Sequence, residues 1–135
     1  MSKLYRSREG DVTAVDTKTQ LSTLGSQTAP GPLLVPAGAK NLDALIVTFA
    51  SDHAIAADCV VLVRLEGPGL PEGPETYVVG AAGNVATTGG ASTDRAFRLP
   101  ADIPVTPANE ILLFGEMVGE DNGTVRVGVT CEFSV

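Results

Sequence analysis

The chain carries one histidine, and it sits where a reaction can be written: Ser51, Asp52 and His53 are neighbours. A hydroxyl, a carboxylate and an imidazole are the groups of a nucleophilic triad. That chemistry needs the imidazole held between the other two groups, a geometry assembled from distant parts of a fold, and three neighbours on one loop do not reach it. His53 therefore reads as a solvent-facing loop residue. Asp52 and Asp58 flank the same loop, and Glu120 adjoins Asp121 further on. Calcium gathers several oxygens, but neither stretch has the alternating carboxylates of a calcium loop, and turn residues explain both. Cys59, Cys131 and His53 stand at no metal-ligand spacing. Gly67, Gly69 and Gly73 are interleaved with prolines and precede no helix, so they are not a phosphate loop. Asn122-Gly123-Thr124 matches a glycosylation acceptor, yet Asn-Gly is also what a tight turn selects. Sugar-binding sandwiches present aromatic platforms, whereas this chain has no Trp and two Tyr, Tyr5 and Tyr77. No catalytic residue, cofactor-binding residue or metal ligand is predicted, and the chain reads as a non-enzyme.

The elements that would have to position any site are strands. Residues 124–135 (TVRVGVTCEFSV) place Val125, Val127, Val129, Cys131, Phe133 and Val135 on one side of a period of two and Arg126, Thr130, Glu132 and Ser134 on the other. That is a half-buried strand. Residues 110–118 (EILLFGEMV) are a second apolar run, and the turn-rich link 119–123 (GEDNG) predicts that the two pair as an antiparallel hairpin. Residues 41–51 (NLDALIVTFAS) set Leu45, Val47 and Phe49 against Ala44, Ile46, Thr48 and Ala50, apolar on both sides, as in an inner strand or one under a neighbouring subunit. Residues 59–66 (CVVLVRLE) repeat the pattern with Cys59, Val61, Val63 and Leu65 on one face. Turn chemistry at 67–74 (GPGLPEGP) leads into a short strand at 75–80, and 94–99 (DRAFRL) is a further strand before Pro100, Pro104 and Pro107 interrupt the ladder. Residues 81–93 (AAGNVATTGGAST) predict a surface loop, and 28–36 (TAPGPLLVP) a connection with a short strand at 33–35. No stretch keeps the 3.6-residue period over three turns, and 15 Gly and 9 Pro punctuate 135 residues. The fold class that follows is all-β: an antiparallel β-sandwich, jelly-roll-like, of about eight strands.

At 135 residues the chain makes one domain, read as an extended N-terminal arm over residues 1–32 and a β-sandwich over residues 33–135. Residues 11–24 are rich in Thr, Ser and Gln with isolated Val12, Val15 and Leu21, which suits an extended arm or edge strand. The net charge of −7 is uneven, because Lys3, Arg6 and Arg8 precede the first acid and leave about −10 on the remainder. An acidic body argues against a nucleic-acid-binding face on the fold, and although the arm alone could touch a polyanion, its three cations are too few to predict nucleic acid contact. With 44% apolar residues and mean hydropathy +0.20, the runs are short and interrupted, and no membrane span is predicted. The polar start MSKLYRSREGD has no apolar segment after its basic residues, so no secretion signal is expected. Cys59 and Cys131 accordingly read as reduced core thiols.

What remains is a surplus of apolar strand faces. If Ile46, Val60 and Leu62 point away from the interior, they expose more apolar surface than a soluble monomer carries unless another subunit covers it. The run Val35-Pro36-Ala37-Gly38-Ala39 into the strand at 42–49, the segment Val63-Arg64-Leu65-Glu66-Gly67, and Ile103-Pro104-Val105 with the closing strands together resemble single jelly-roll structural proteins of viruses, capsid or capsid-decorating subunits. The resemblance covers residues 33–135. It implies loops that contact neighbouring subunits and terminal arms that tie subunits together. This arm is less basic than a genome-binding arm, so the implied role is a non-enzymatic, self-assembling subunit of a shell, tube or decoration. Its setting would be the virion or its cytoplasmic assembly, and its partners copies of itself and other virion proteins. The alternative is a β-sandwich ligand- or carbohydrate-binding module with a site built from the loops 51–58 and 81–93.

Overall fold

A computed structural model describes residues 3–12, 18–22, 31–51, 60–81, 95–118 and 125–135. In chain order the strands are β1 (Lys3–Val12), β2 (Thr19–Gln20), β3 (Leu33–Leu34), β4 (Asn41–Ser51), β5 (Val60–Glu66), β6 (Glu75–Ala81), β7 (Arg95–Pro104), β8 (Glu110–Val118) and β9 (Val125–Ser134). One antiparallel sheet has the order β1-β9-β4-β7, and the other β2-β8-β5-β6 with β3 also on β8. Apart from the two-residue β3, the strands pair first with last: β1 with β9, β2 with β8, β4 with β7 and β5 with β6. They form one long antiparallel ribbon folded over on itself, its arms joined where β4 meets β9 and β5 meets β8. That is jelly-roll topology, and the fold is an all-β sandwich of two antiparallel sheets.

The period of two decides which side chains meet between the sheets. Val125, Val127, Val129, Cys131 and Phe133 of β9 are buried, as their spacing requires, together with Leu42, Leu45 and Val47 of β4. From the facing sheet come Val61, Val63 and Leu65 of β5 and Ile111, Leu113 and Met117 of β8. Each such side chain contributes about 1.5–3 kcal/mol on leaving water. The expected turn at 67–74 is present, with Gly67 at φ 115° and Gly73 at φ 99°. A side chain at Gly67 would also collide with the Glu110 carbonyl oxygen, 2.8 Å from its Cβ position.

Two elements lie elsewhere than the sequence predicts. β8 and β9 do not form a hairpin: β8 lies between β2 and β5, and β9 between β1 and β4 in the opposite sheet. Each takes an inner place in its own sheet, with a strand on either side, and their apolar inward phases meet in the core between the sheets. Residues 3–12, read as part of an arm, run as β1 along the edge of the first sheet, in register with β9 from Lys3↔Ser134 to Val12↔Val125. Hydrogen bonds in both directions between Glu9 and Ser22 tie β1 to the start of the second sheet as well. The inward phase of β1 is Leu4, Arg6, Arg8, Gly10 and Val12. Arg8 escapes the interior by turning its guanidinium to the carbonyl oxygens of Gly31 at 2.8 Å and Pro32 at 3.0 Å, and burial pushes its pKa down. Charges in the inward phase of an outermost strand also discourage a further strand from adding there.

Candidate functional site

The residues first weighed for chemistry fall largely outside the described ones: Asp52, His53, Asp58 and Cys59, the loop from 82, and Glu120, Asp121 and Asn122. Ser51 ends β4. Cys131 is described: its unpaired thiol is buried in the core, and burial pushes its pKa from 9.0 up to about 12. Tyr77 packs partly against the core from β6, where desolvation raises its pKa. Tyr5 lies on the outer side of the first sheet and so forms no platform with it. The features that distinguish this molecule are instead the outer faces of its two sheets.

The outer face of the β1-β9-β4-β7 sheet is a polar mesh. Glu132 of β9 keeps only 8% of its surface in water, because Arg98 of β7 donates to its Oε2 at 2.7 Å and Tyr5 of β1 to its Oε1 at 3.5 Å. Ser7 and Thr130 share a 2.7 Å hydrogen bond between β1 and β9, and Arg126 donates to Asp11 at 3.0 Å. The ladder slips between Leu42 and Ala44, leaving Asp43 as an extra residue on β4. The Asp43 carboxylate then accepts from Lys3, from Asn41 at 2.6 Å and from Ser134 at 2.9 Å. The Lys3 ammonium is the largest cause holding the Asp43 pKa below its ordinary value of 3.8.

The outer face of the β2-β8-β5-β6 sheet differs in kind. Its outward phase holds Leu62 of β5, Leu112 and Phe114 of β8, Val78 of β6 and, at its corners, Leu34 and Val118. Val78 is 62% exposed, Leu34 54% and Val118 38%. Two pairs of charges lie among them: Arg64 donates to Glu116 at 2.9 Å and to Thr76 at 3.3 Å, and Lys18 pairs with Glu66 while lying 4.4 Å over the Phe114 ring. Together with Pro74 and Glu75 these groups line an open cleft of about 360 Å³. Ile46, on the outer side of the first sheet, is half-buried, so the apolar surplus expected from the sequence collects on the second sheet.

Sequence reasoning overlooked the acids Glu116 and Glu132. Each stands in the outward phase of its strand, where an acid signals solvent, and each is covered by an arginine 52 or 34 residues away. The available signal is an Arg flanked by apolar residues inside each of two strands, Arg64 between Val63 and Leu65 and Arg98 between Phe97 and Leu99, which calls for a carboxylate on a neighbouring strand.

Fold and surface together define a single jelly-roll β-sandwich with one apolar outer face. No family model matches the chain, and no curated protein matches it. Among solved structures it is similar to VP2 of infectious bursal disease virus in a subviral particle, at 16% identity and TM-score 0.46, covering 96% of this chain and 33% of that one. It is also similar to a mutant VP2 of that virus in T=1 particles, at 17% identity and TM-score 0.32, covering 96% of this chain and 36% of that one. The chain thus spans about a third of the length of the VP2 chains to which it is similar.

Proposed function

We propose that this chain is a non-enzymatic structural subunit that assembles with copies of itself, and with other virion proteins, in a viral shell, tube or outer decoration. The observation that carries the self-assembly is the outer face of the β2-β8-β5-β6 sheet, where Leu34, Val78 and Val118 stand in water beside half-buried Leu62, Leu112 and Phe114. Apolar side chains grouped in this way mark a contact surface, and each contributes on leaving water at about 25 cal/mol per Å². The matched pairs Arg64–Glu116 and Lys18–Glu66 enter such a contact without an unpaired charge. The virion setting rests on the resemblance of residues 33–135 to single jelly-roll virus proteins.

Light scattering and negative-stain microscopy across concentration test the reading. The parent chain is expected to form rings, shells or tubes, and Leu34→Glu combined with Val118→Glu to shift it toward monomers with little change in melting temperature, since both side chains are exposed. A parent chain that stays monomeric at high concentration overturns the proposal, and if it then retains a glycan, the ligand-binding alternative replaces it.

A further inference from the structure

Two open sheets have four edges, and each exposes a row of backbone donors and acceptors to any strand that drifts by. Three of the four are closed by visible devices. β1 carries Arg6 and Arg8 in its inward phase. Beyond β8, among the described residues, lie only the two-residue strands β2 and β3. β7 contains Pro100 and Pro104, which lack ladder donors, and Asp102 breaks its regular backbone at φ 49°. The fourth edge is β6, ETYVVGA, with no Lys, Arg or Pro, and among the described residues it pairs with β5 alone. A register shift between Val61 and Leu62 ends the regular part of this edge at Val78, leaving Glu75–Val78 evenly paired with β5. Val78 is also the most exposed large hydrophobic side chain among the described residues, and it stands opposite Leu62, so the apolar outer face runs out to this rim.

We propose that β6 is the edge at which a second copy of this chain joins, its β6 lying antiparallel to the first across a two-fold axis, so that one sheet continues through both molecules. The inference rests on the self-assembly reading and names the place where it begins. Strand direction follows from charge: Glu75 stands at one end of the evenly paired edge and Val78 at the other, so parallel strands in register would set two carboxylates side by side, whereas antiparallel strands hold them apart. A strand that fits its own reverse is satisfied by a copy of itself, which is the condition of a two-fold contact. An axis through Tyr77 brings Thr76 of each copy opposite the second copy's Val78, all on the outer face. The two apolar faces then merge into one surface.

Val78→Lys places a cation on this edge without touching the core. The test compares the parent and this variant by sedimentation, and follows amide hydrogen exchange in the peptide spanning residues 75–81 at low and high concentration. Self-association is expected to weaken by more than about tenfold in the variant. In the parent, exchange within 75–81 is expected to slow by about tenfold or more as the chains associate. If the parent assembles but 75–81 gains no protection, or if Val78→Lys assembles as the parent does, the β6 contact is overturned while self-assembly through the face stands. A parent that never associates overturns both. A melting temperature near the parent's, expected for a site 62% exposed, shows that the variant is folded.

Discussion

The two outer faces of this sandwich arise from one alternation of side chains and end in opposite states. On the β1-β9-β4-β7 sheet the outward phase supplies Ser7, Asp11, Arg126, Thr130 and Glu132, and neighbouring strands answer each with a partner. On the β2-β8-β5-β6 sheet the same phase supplies Leu34, Leu62, Val78, Leu112, Phe114 and Val118, with ion pairs set among them. Polar groups that complete their contacts within the chain gain little from a neighbour. Apolar groups left in water gain by meeting one. That difference is the ground for proposing the second face as the contact surface, while inward both sheets supply aliphatic side chains to one core.

The largest effect available lies beneath both faces, where the comparison should vanish. Phe133 is fully buried between the sheets, and Phe133→Ala is expected to cost about 3–5 kcal/mol, because the cavity collapses only in part. Cys131, on the same side of β9, reports it independently. Its raised pKa and complete burial keep it unreactive in the folded chain, so alkylation mapped to Cys131 should follow the unfolded fraction and rise in the variant. A Phe133→Ala chain as stable as the parent, or a Cys131 that labels at once in the folded parent, would show that the two sheets do not close on a common core.

A smaller effect separates the faces. Arg64→Leu leaves the nearly buried Glu116 carboxylate without its arginine, at an expected cost of about 1–3 kcal/mol. Replacing both partners, Arg64→Leu with Glu116→Leu, should recover most of that loss, because Leu62 and Phe114 offer apolar surroundings. The corresponding double replacement of Arg98 and Glu132 should recover less, because it strips the Tyr5 hydroxyl of its acceptor in a polar mesh. Urea unfolding of the two double variants beside their single arginine variants, Arg64→Leu and Arg98→Leu, measures this directly. Equal recovery on both faces would erase the proposed distinction between them.

What the sequence made legible follows the range of the interactions involved. The inward residues of β5 and β9 could be read from a period of two, since burial of alternate side chains is a local rule. The partner of each strand could not. A jelly roll pairs first with last, so β1 and β9 meet from opposite ends of the chain, and the turn-like link between β8 and β9 pointed to a hairpin that does not form. β1 escaped notice because its inward phase holds Arg6 and Arg8, whose aliphatic stems can line the rim of a sandwich while their heads reach out of it. The surplus of apolar faces was visible in Val60 and Leu62, but which sheet carried it depended on the topology.

The smallest expected effect concerns how the polar face holds its own edge. Asp43 collects Lys3, Asn41 and Ser134, so one carboxylate joins the first residue of β1 to β4 and β9. Its pKa in the folded chain lies below the ordinary 3.8, chiefly through the hydrogen bond from Lys3. The stabilisation from this tie is therefore fully present above the ordinary value and is lost as the pH falls through the lower, folded one. Protection of the β1 amides against hydrogen exchange should be level near neutrality and decline below about pH 4. Asp43→Asn should weaken that protection at neutral pH and flatten its dependence on acid, because the variant has no carboxylate to titrate. Glu9 and Asp11 with Arg126 sit at the far end of β1, whereas Glu132 lies opposite Tyr5 near Lys3, so the comparison with Asp43→Asn is what separates the Asp43 tie from the other acids. An unchanged acid profile in Asp43→Asn would mean that β1 is held by its backbone ladder alone, and that the polar mesh contributes solubility to this face without anchoring its edge.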